Sequence, residues 1–225
     1  MSRKNTGIRM KDKMKKIFLL FFFLISYSVF SQDITVYLDE GDELISKNKF
    51  ADAENIFRKG LKENPQNPIL KSQLALTLIN QDKNDEAGKI IEEILAQQPE
   101  FTAALWYGGI NYFSKKVPDF RKAISYFEKA YPLIDANSPQ YFTVNYYIGK
   151  SYRKLLYREG LTYNEVDRML ETYRKYIELQ PNADDLIDAK SFVKKVEEKR
   201  PGKNVGKWII TTEQNVEELI KKTLE

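Results

Sequence analysis

Cysteine and histidine are both absent from the 225-residue sequence. Without cysteine the chain forms no disulfide and offers no thiol nucleophile, and without either residue it builds neither a Cys/His zinc site nor an imidazole acid–base catalyst. The sequence also lacks a glycine-rich phosphate loop, a nucleophile elbow and the acidic spacing of an EF-hand loop. We therefore expect no metal ion, no cofactor and no enzymatic activity.

The apolar run at residues 17–30, IFLLFFFLISYSVF, has 14 residues. A helix needs ~20 apolar residues to cross a bilayer, so this run is short for a membrane span. Seven lysines and arginines precede it, which is the pattern of a secretory signal peptide. Val29 and Ser31 are small residues at the usual offsets from a cleavage site. We therefore predict a signal peptide at residues 1–31, cut between Ser31 and Gln32, and no stable membrane span after cleavage.

A glutamine after the cleavage site resembles exported proteins of Gram-negative bacteria. We therefore expect an exported protein that is periplasmic or associated with the cell envelope. No cysteine follows the apolar run, which excludes a lipoprotein anchor. An uncleaved N-terminal membrane anchor stays open as an alternative. Met14 is an alternative start, because the segment from Met14 alone would make a compact signal peptide.

The basic character of the chain belongs to the predicted signal peptide. Of the 36 basic and 32 acidic residues, residues 1–31 hold seven and one, which leaves 29 basic and 31 acidic residues and a net charge of −2 after cleavage. Nucleic-acid binding relies on excess positive charge facing the phosphate backbone. We therefore expect no nucleic-acid partner.

A spacing pattern occurs twice along the chain at a constant offset. Six positions follow each other at steps of 3, 9, 4, 3 and 5, and every member recurs at the offset that separates Gly41 from Ala75. The first series is Gly41, Leu44, Ala53, Phe57, Gly60 and Pro65, and the second is Ala75, Leu78, Ala87, Ile91, Ile94 and Pro99. The small first residue allows close approach of two helices, the bulky fourth fills the space between them, and proline ends the second helix. Each series therefore predicts a helical hairpin.

These residues resemble the tetratricopeptide-repeat family, whose unit of about 34 residues has the length of this offset and carries small residues, Tyr, Ala, Phe and Pro at such positions. A third unit follows at LWYGGINYF, with Gly109 and Phe127, and a fourth at YYIGKSY, with Gly149 and Tyr173. The fourth contains eight extra residues, which we predict to form a loop from Tyr157 to Asn164. The resemblance covers about residues 34–181 and implies an all-α, right-handed α-solenoid of about four hairpins.

The segment after the fourth unit is predicted to be a cap helix at residues 183–199, with an apolar face of Leu186, Ala189, Val193 and Val196. We set the repeat domain at residues 34–199 and a linker with a short C-terminal helix, from about Thr212 to Leu224, at residues 200–225. Trp208 and its neighbours either dock on the last helices as an extended cap or form an exposed segment that a partner or a second copy receives.

The family resemblance implies that first helices of the hairpins line a groove for a peptide or a segment of another protein. The groove positions of the first two units are Leu38, Asp42, Ile45, Ser72, Leu76 and Ile79. The family's chaperone-tail-binding domains carry a Lys/Asn pair where Leu38 and Asp42 stand, so that particular tail is not the expected partner.

The third and fourth units are the predicted contact region, since aromatic residues and arginine are frequent among binding hot spots. Three basic side chains at helical spacing favour an acidic or C-terminal carboxylate partner. The same residues also fit packing between repeats and a solvated basic face, and several other tyrosines (Tyr112, Tyr147, Tyr152, Tyr173) are predicted to be core. The predicted partner-binding residues are Trp106, Ile110, Phe113, Tyr146, Lys150, Arg153 and Lys154.

Three functions follow from this pattern. The first is a non-catalytic adaptor or scaffold that binds a protein or peptide in the cell envelope. The second is a self-associating structural protein of the envelope, for which a dilution-resistant oligomer in light scattering would be the signature. The third is an enzyme that uses an acidic pair such as Glu92–Glu93 or Asp184–Asp185. Adjacent helix residues point about 100° apart, which is a poor arrangement for such a pair.

Overall fold

The computed structural model describes residues 34–212 of the chain. These residues form nine α-helices and one 3-10 turn at Tyr131–Leu133. None of the helices in this range is long and apolar enough to cross a membrane. The helices are α1 (Thr35–Ser46), α2 (Phe50–Glu63), α3 (Pro68–Ile79), α4 (Asn84–Gln97), α5 (Thr102–Ser114), α6 (Phe120–Ala130), α7 (Pro139–Arg158), α8 (Tyr163–Leu179) and α9 (Leu186–Lys199).

In chain order the helices make four helix–turn–helix units followed by α9, which confirms the all-α prediction. The predicted signal peptide and the C-terminal helix beyond Thr212 lie outside the described residues. The chain divides into two compact units with the boundary between Leu70 and Lys71, inside α3. The domain bounds 34–199 and 200–225 stay predictions.

The compact unit that ends at Leu70 contains the hairpin of α1 and α2. Gly41 is buried on α1, and a Cβ atom at this position would overlap the ring of Phe57 on α2. Phe57 is fully buried. The hydroxyl of Tyr37 donates a hydrogen bond of 2.6 Å to Glu63 at the end of α2. The small residue and the bulky residue therefore have the roles that the sequence pattern predicts.

The turns after α1 and α3 share one backbone conformation. Asn48 has φ of 57° and Asp82 has φ of 59°, the left-handed region that Asn and Asp tolerate better than most residues. In each turn the next backbone N–H, of Lys49 or Lys83, donates a 2.9 Å hydrogen bond to the carbonyl of Leu44 or Leu78. The two turns are separated by the same offset as the two sequence series, so the sequence period is also a backbone period.

In the compact unit that begins at Lys71, the third and fourth hairpins repeat the contact between a glycine and an aromatic ring that the first hairpin shows. A Cβ at Gly109 on α5 would overlap the ring of Phe127 on α6, and a Cβ at Gly149 on α7 would lie 3.0 Å from Tyr173 on α8. Phe127 is fully buried and Tyr173 nearly so. The core of this unit therefore runs through α5, α6, α7 and α8 and reaches the cap helix α9.

The predicted loop from Tyr157 to Asn164 is too long, because residues 157–158 and 163–164 are helical. The extra residues lengthen the helices instead, because α7 continues to Arg158 and α8 begins at Tyr163. Leu155 and Leu156 are buried on the added turns of α7, so burial supports the extension. Only residues 159–162 lie between the two helices. Thr162 and Glu165 then start α8 with a capping box, in which each side chain bonds the backbone N–H of the other residue.

The cap helix α9 buries Ala189, Phe192, Val193 and Val196. The predicted face is thus confirmed at three positions; Leu186 is only half-buried, and Phe192 was not predicted. Of the two predictions for the tail, docking is the one found. Trp208 and Leu161 exchange two backbone hydrogen bonds of 2.8 Å, and the N–H of Ile210 donates to the carbonyl of Leu156 at 3.1 Å.

Candidate functional site

A cavity of about 410 Å3, which we call the basic cavity, lies between α7, α8 and α9. Pockets of roughly 300–1,000 Å3 are typical of sites that hold a small ligand or part of a peptide. The lining combines tyrosines with three basic and two acidic side chains. The lining residues are Tyr146, Lys150, Arg153, Lys154, Tyr157, Tyr173, Asp185 and Asp188.

One face of α7 supplies most of this lining. Arg153 and Lys154 follow Lys150 by three and four residues, and Tyr157 follows them by four and three, so the four side chains share a side. The opposite side of α7 is fixed in the core by buried Val144, Ile148 and Leu155 among others. The basic side chains are therefore presented on a helix that core packing holds in place.

Arg153 is paired with the cap helix. Its Nη1 and Nη2 atoms donate hydrogen bonds of 2.5 Å and 3.2 Å to the two carboxylate oxygens of Asp188. The guanidinium carbon lies 4.2 Å from the ring centroid of Phe192, close enough for a cation–π contact. A bidentate pair of this kind fixes both distance and orientation.

The Arg153–Asp188 pair favours the charged form of both groups. Burial alone would lower the pKa of Arg153, but the hydrogen bond to Asp188 and the neighbouring Tyr173 together raise it above its ordinary value. The hydrogen bond from Arg153 in turn lowers the pKa of Asp188 below its usual range. Both groups are therefore ionised at neutral pH.

The two lysines differ from Arg153 because neither forms an ion pair with a carboxylate within the described part of the chain, although the charge of Lys150 helps to lower the pKa of Asp188. The Nζ atom of Lys150 donates a hydrogen bond to the hydroxyl of Tyr146 and lies 4.7 Å from the centroid of that ring. Lys154 is exposed on the same helix face. Asp185, the second acidic residue of the lining, accepts a 2.7 Å hydrogen bond from the hydroxyl of Tyr176. Three cations thus face two carboxylates, and the cavity has a local excess of positive charge.

The tyrosines predicted to be core fall into two groups. Tyr152 and Tyr173 are buried, as predicted, whereas Tyr112 and Tyr147 are half-buried. Burial raises the pKa of Tyr173 to about 12, so its hydroxyl stays protonated at neutral pH. Tyr173 also reaches the basic cavity, a second role that the repeat pattern did not indicate.

The structure separates the predicted partner-binding residues into two sets. Tyr146, Lys150, Arg153 and Lys154 line the basic cavity. The aromatic and aliphatic members, Trp106, Ile110 and Phe113, instead pack against the core.

Ring contacts account for the packing of the second set. The ring of Trp106 lies 5.5 Å from that of Phe127, and the ring of Phe113 lies 5.0 Å from that of Tyr147, between the third and fourth hairpins. Trp106 also borders a separate cavity of about 470 Å3, with Tyr107 and Leu133. A contact role for this second set stays a prediction.

The acidic pairs that were considered for catalysis have structural neighbours. Glu93 on α4 accepts a hydrogen bond of 3.1 Å from Lys71 on α3, and Asp185 accepts one from Tyr176. Residues 34–212 contain no group of three acidic side chains that would hold a metal ion. Of these four acidic residues only Asp185 lines the basic cavity.

Sequence reasoning missed Asp185 and Asp188. Asp185 appears only in the acidic pair Asp184–Asp185 considered for an enzyme, and Asp188 belongs to none of the predicted sets. One signal was available: Asp185, Asp188 and Phe192 are spaced three and four residues apart, so they share a side of α9 with one another.

Comparison with known proteins finds one matching family model and several similar solved structures. Residues 44–107 match the family model described as tetratricopeptide repeat. No curated protein matches the chain by sequence. Among similar solved structures, PilF of Pseudomonas aeruginosa is 16% identical, with a TM-score of 0.59 over 73% of this chain and 68% of its own. MamA from Desulfovibrio magneticus RS-1 is 14% identical, with a TM-score of 0.55 over 77% of this chain and 100% of its own.

A tetratricopeptide-repeat protein from Parabacteroides merdae is also similar, at 14% identity and a TM-score of 0.51 over 75% of this chain and 61% of its own. Identities this low show the fold alone. The fold is an all-α solenoid of helical hairpins, as the family resemblance implies.

Proposed function

We propose, from the premise that this chain is built of tetratricopeptide repeats, that it is a non-catalytic adaptor or scaffold that binds an acidic segment of a partner protein in the basic cavity. Stacked helical repeats commonly serve as extended binding surfaces. The observation that carries the proposal is the pair of lysines, Lys150 and Lys154, which line the cavity and form no ion pair with a carboxylate of the described chain.

The chemistry of the cavity favours a carboxylate over other groups. Lysine and arginine pair with carboxylates through charge-assisted hydrogen bonds, and the fork of Arg153 already holds one carboxylate in this structure. Tyr146 and Tyr157 add rigid aromatic area beside the cations, which suits the stem of a glutamate side chain or a neighbouring apolar residue. An acidic peptide segment therefore matches both the charge and the shape of the lining.

The positive charge of the cavity is local. The chain after residue 31 has a net charge of −2, so a general attraction for polyanions does not support nucleic-acid binding. The signal-peptide pattern at residues 1–31 supports an exported protein in the periplasm or cell envelope of a Gram-negative bacterium. The proposed partner is thus an envelope protein with an exposed acidic segment.

Charge reversal at the two lysines tests the proposal. The double variant Lys150→Glu/Lys154→Glu is expected to bind a fluorescein-labelled glutamate-rich peptide at least about tenfold more weakly than the unmodified chain, because two attractive contacts become repulsive. Fluorescence anisotropy at low ionic strength measures the dissociation constant, and added salt should weaken binding to the unmodified chain.

The matched control makes the same two lysine-to-glutamate changes outside the basic cavity. Lys89 on α4 and Lys129 on α6 are exposed lysines that do not line the basic cavity. The variant Lys89→Glu/Lys129→Glu should keep at least half of the affinity. Equal weakening in the two double variants would show that net charge, and not the cavity, attracts the peptide.

A further inference from the structure

The site proposed for an acidic partner already holds one carboxylate of the chain itself. Asp188 in the first turn of α9 makes a bidentate ion pair with Arg153 across the basic cavity. Arg153 is therefore already occupied when a partner carboxylate enters the cavity. Lys150 and Lys154 on the same helix face have no such partner among the described residues.

The cap helix holds Asp188 in place without help from the ion pair. Ala189, Phe192, Val193 and Val196 bury the apolar side of α9, and Phe192 lies directly under the guanidinium of Arg153. A carboxylate tethered in this way has a high effective concentration at the cavity compared with a free ligand. Its side chain is still 62% exposed, so it can leave Arg153 for solvent without being buried unpaired.

We propose that Asp188 is an internal competitor that sets the affinity of the basic cavity for acidic segments; this inference rests on the proposed function. A partner carboxylate first contacts Lys150 and Lys154 and then displaces Asp188 from Arg153. The released carboxylate lies in the first turn of α9, where the helix N-terminus favours negative charge. Asp188 thereby limits binding to segments with enough negative charge to complete the exchange.

A second ion pair of the cap helix, this one with α8, provides a matched control. Arg174 on α8 and Glu197 on α9 lie 2.5 Å apart, both partly exposed, and neither lines the basic cavity. Glu197→Gln removes the same charge from the same helix as Asp188→Asn does. A difference between the two variants therefore reports the position of the charge and not the net charge of the chain.

The test measures the affinity of the full chain for the glutamate-rich peptide by fluorescence anisotropy. Asp188→Asn is expected to tighten binding about two- to fivefold, the size expected for removal of one exposed ion pair, while Glu197→Gln leaves it unchanged. Asp188→Glu, which keeps the charge, should retain the affinity of the unmodified chain. In an Arg153→Gln background Asp188→Asn should have a clearly smaller effect, because only the weaker attraction between Asp188 and Lys150 remains.

The outcomes separate this inference from the proposed function. In one outcome, peptide binding depends on Lys150 and Lys154 and yet is unchanged or weakened by Asp188→Asn. This result overturns the proposal that Asp188 competes with the peptide and leaves the proposed function standing. Equal tightening by Asp188→Asn and Glu197→Gln also overturns it. If the unmodified chain and the lysine double variant both fail to bind the peptide, the proposed function fails, and the inference fails with it.

Discussion

Replacing Phe127 by alanine is expected to lower the free energy of unfolding by about 3–5 kcal/mol, the usual cost of truncating a buried aromatic side chain. Phe127 is fully buried on α6 and stacks on Tyr147 with ring centroids 5.3 Å apart. Its ring also meets the edge of Trp106 at 5.5 Å. The variant therefore loses the burial of the Phe127 ring and leaves a cavity where the third and fourth hairpins meet.

Urea denaturation of the full chain followed by circular dichroism measures this loss. Phe142→Ala is the matched control, because Phe142 on α7 is half-buried and has no ring partner among the described residues. Its loss should be clearly smaller. Equal losses in the two variants would show that Phe127 is not the centre of this core.

Replacing Gly109 by alanine should destabilise the chain by about 1–3 kcal/mol, although alanine is normally the better helix former. The added Cβ would overlap the ring of Phe127, which packing holds on several sides. Combining Gly109→Ala with Phe127→Leu should restore part of the loss, because a smaller side chain leaves room for the methyl group. The two changes would then be non-additive, as expected for residues in contact.

Gly88 on α4 provides the comparison for this prediction. A Cβ there would lie 3.4 Å from the nearest side-chain atom, Nδ2 of Asn111, which is close to ordinary van der Waals contact. Gly88→Ala should therefore be neutral or stabilise the chain by up to about 1 kcal/mol, since glycine is a poor residue inside a helix. If Gly109→Ala costs no more than Gly88→Ala, close approach of α5 and α6 does not depend on the glycine.

The hairpins were predictable because their contacts repeat locally along the chain. A close crossing of two helices needs a small residue opposite a bulky one, and Gly41 with Phe57 shows that requirement within a single hairpin. The constant offset between the series then identifies the same pair again at later positions. The hairpins could therefore be predicted from the spacing of residues within each series and the constant offset between the series.

The fourth hairpin and its site were predicted only in part. Extra residues after Tyr152 have the same spacing whether they form a loop or lengthen α7, and only the burial of Leu155 and Leu156 decides between the two. The basic residues of α7 were found because they share one helix face. Asp188 was not found, because its pairing with Arg153 spans 35 residues and depends on how α9 packs against α7 and α8.

Zero-length carbodiimide cross-linking tests the central claim most directly, because it joins a peptide carboxylate only to lysines that contact it. The full chain is incubated with the glutamate-rich peptide and the coupled lysines are identified by mass spectrometry. We expect coupling chiefly at Lys150 and Lys154, with a higher yield in the Asp188→Asn variant. Coupling spread evenly over exposed lysines such as Lys89 and Lys129, with no excess at the basic cavity, would contradict the proposed binding site.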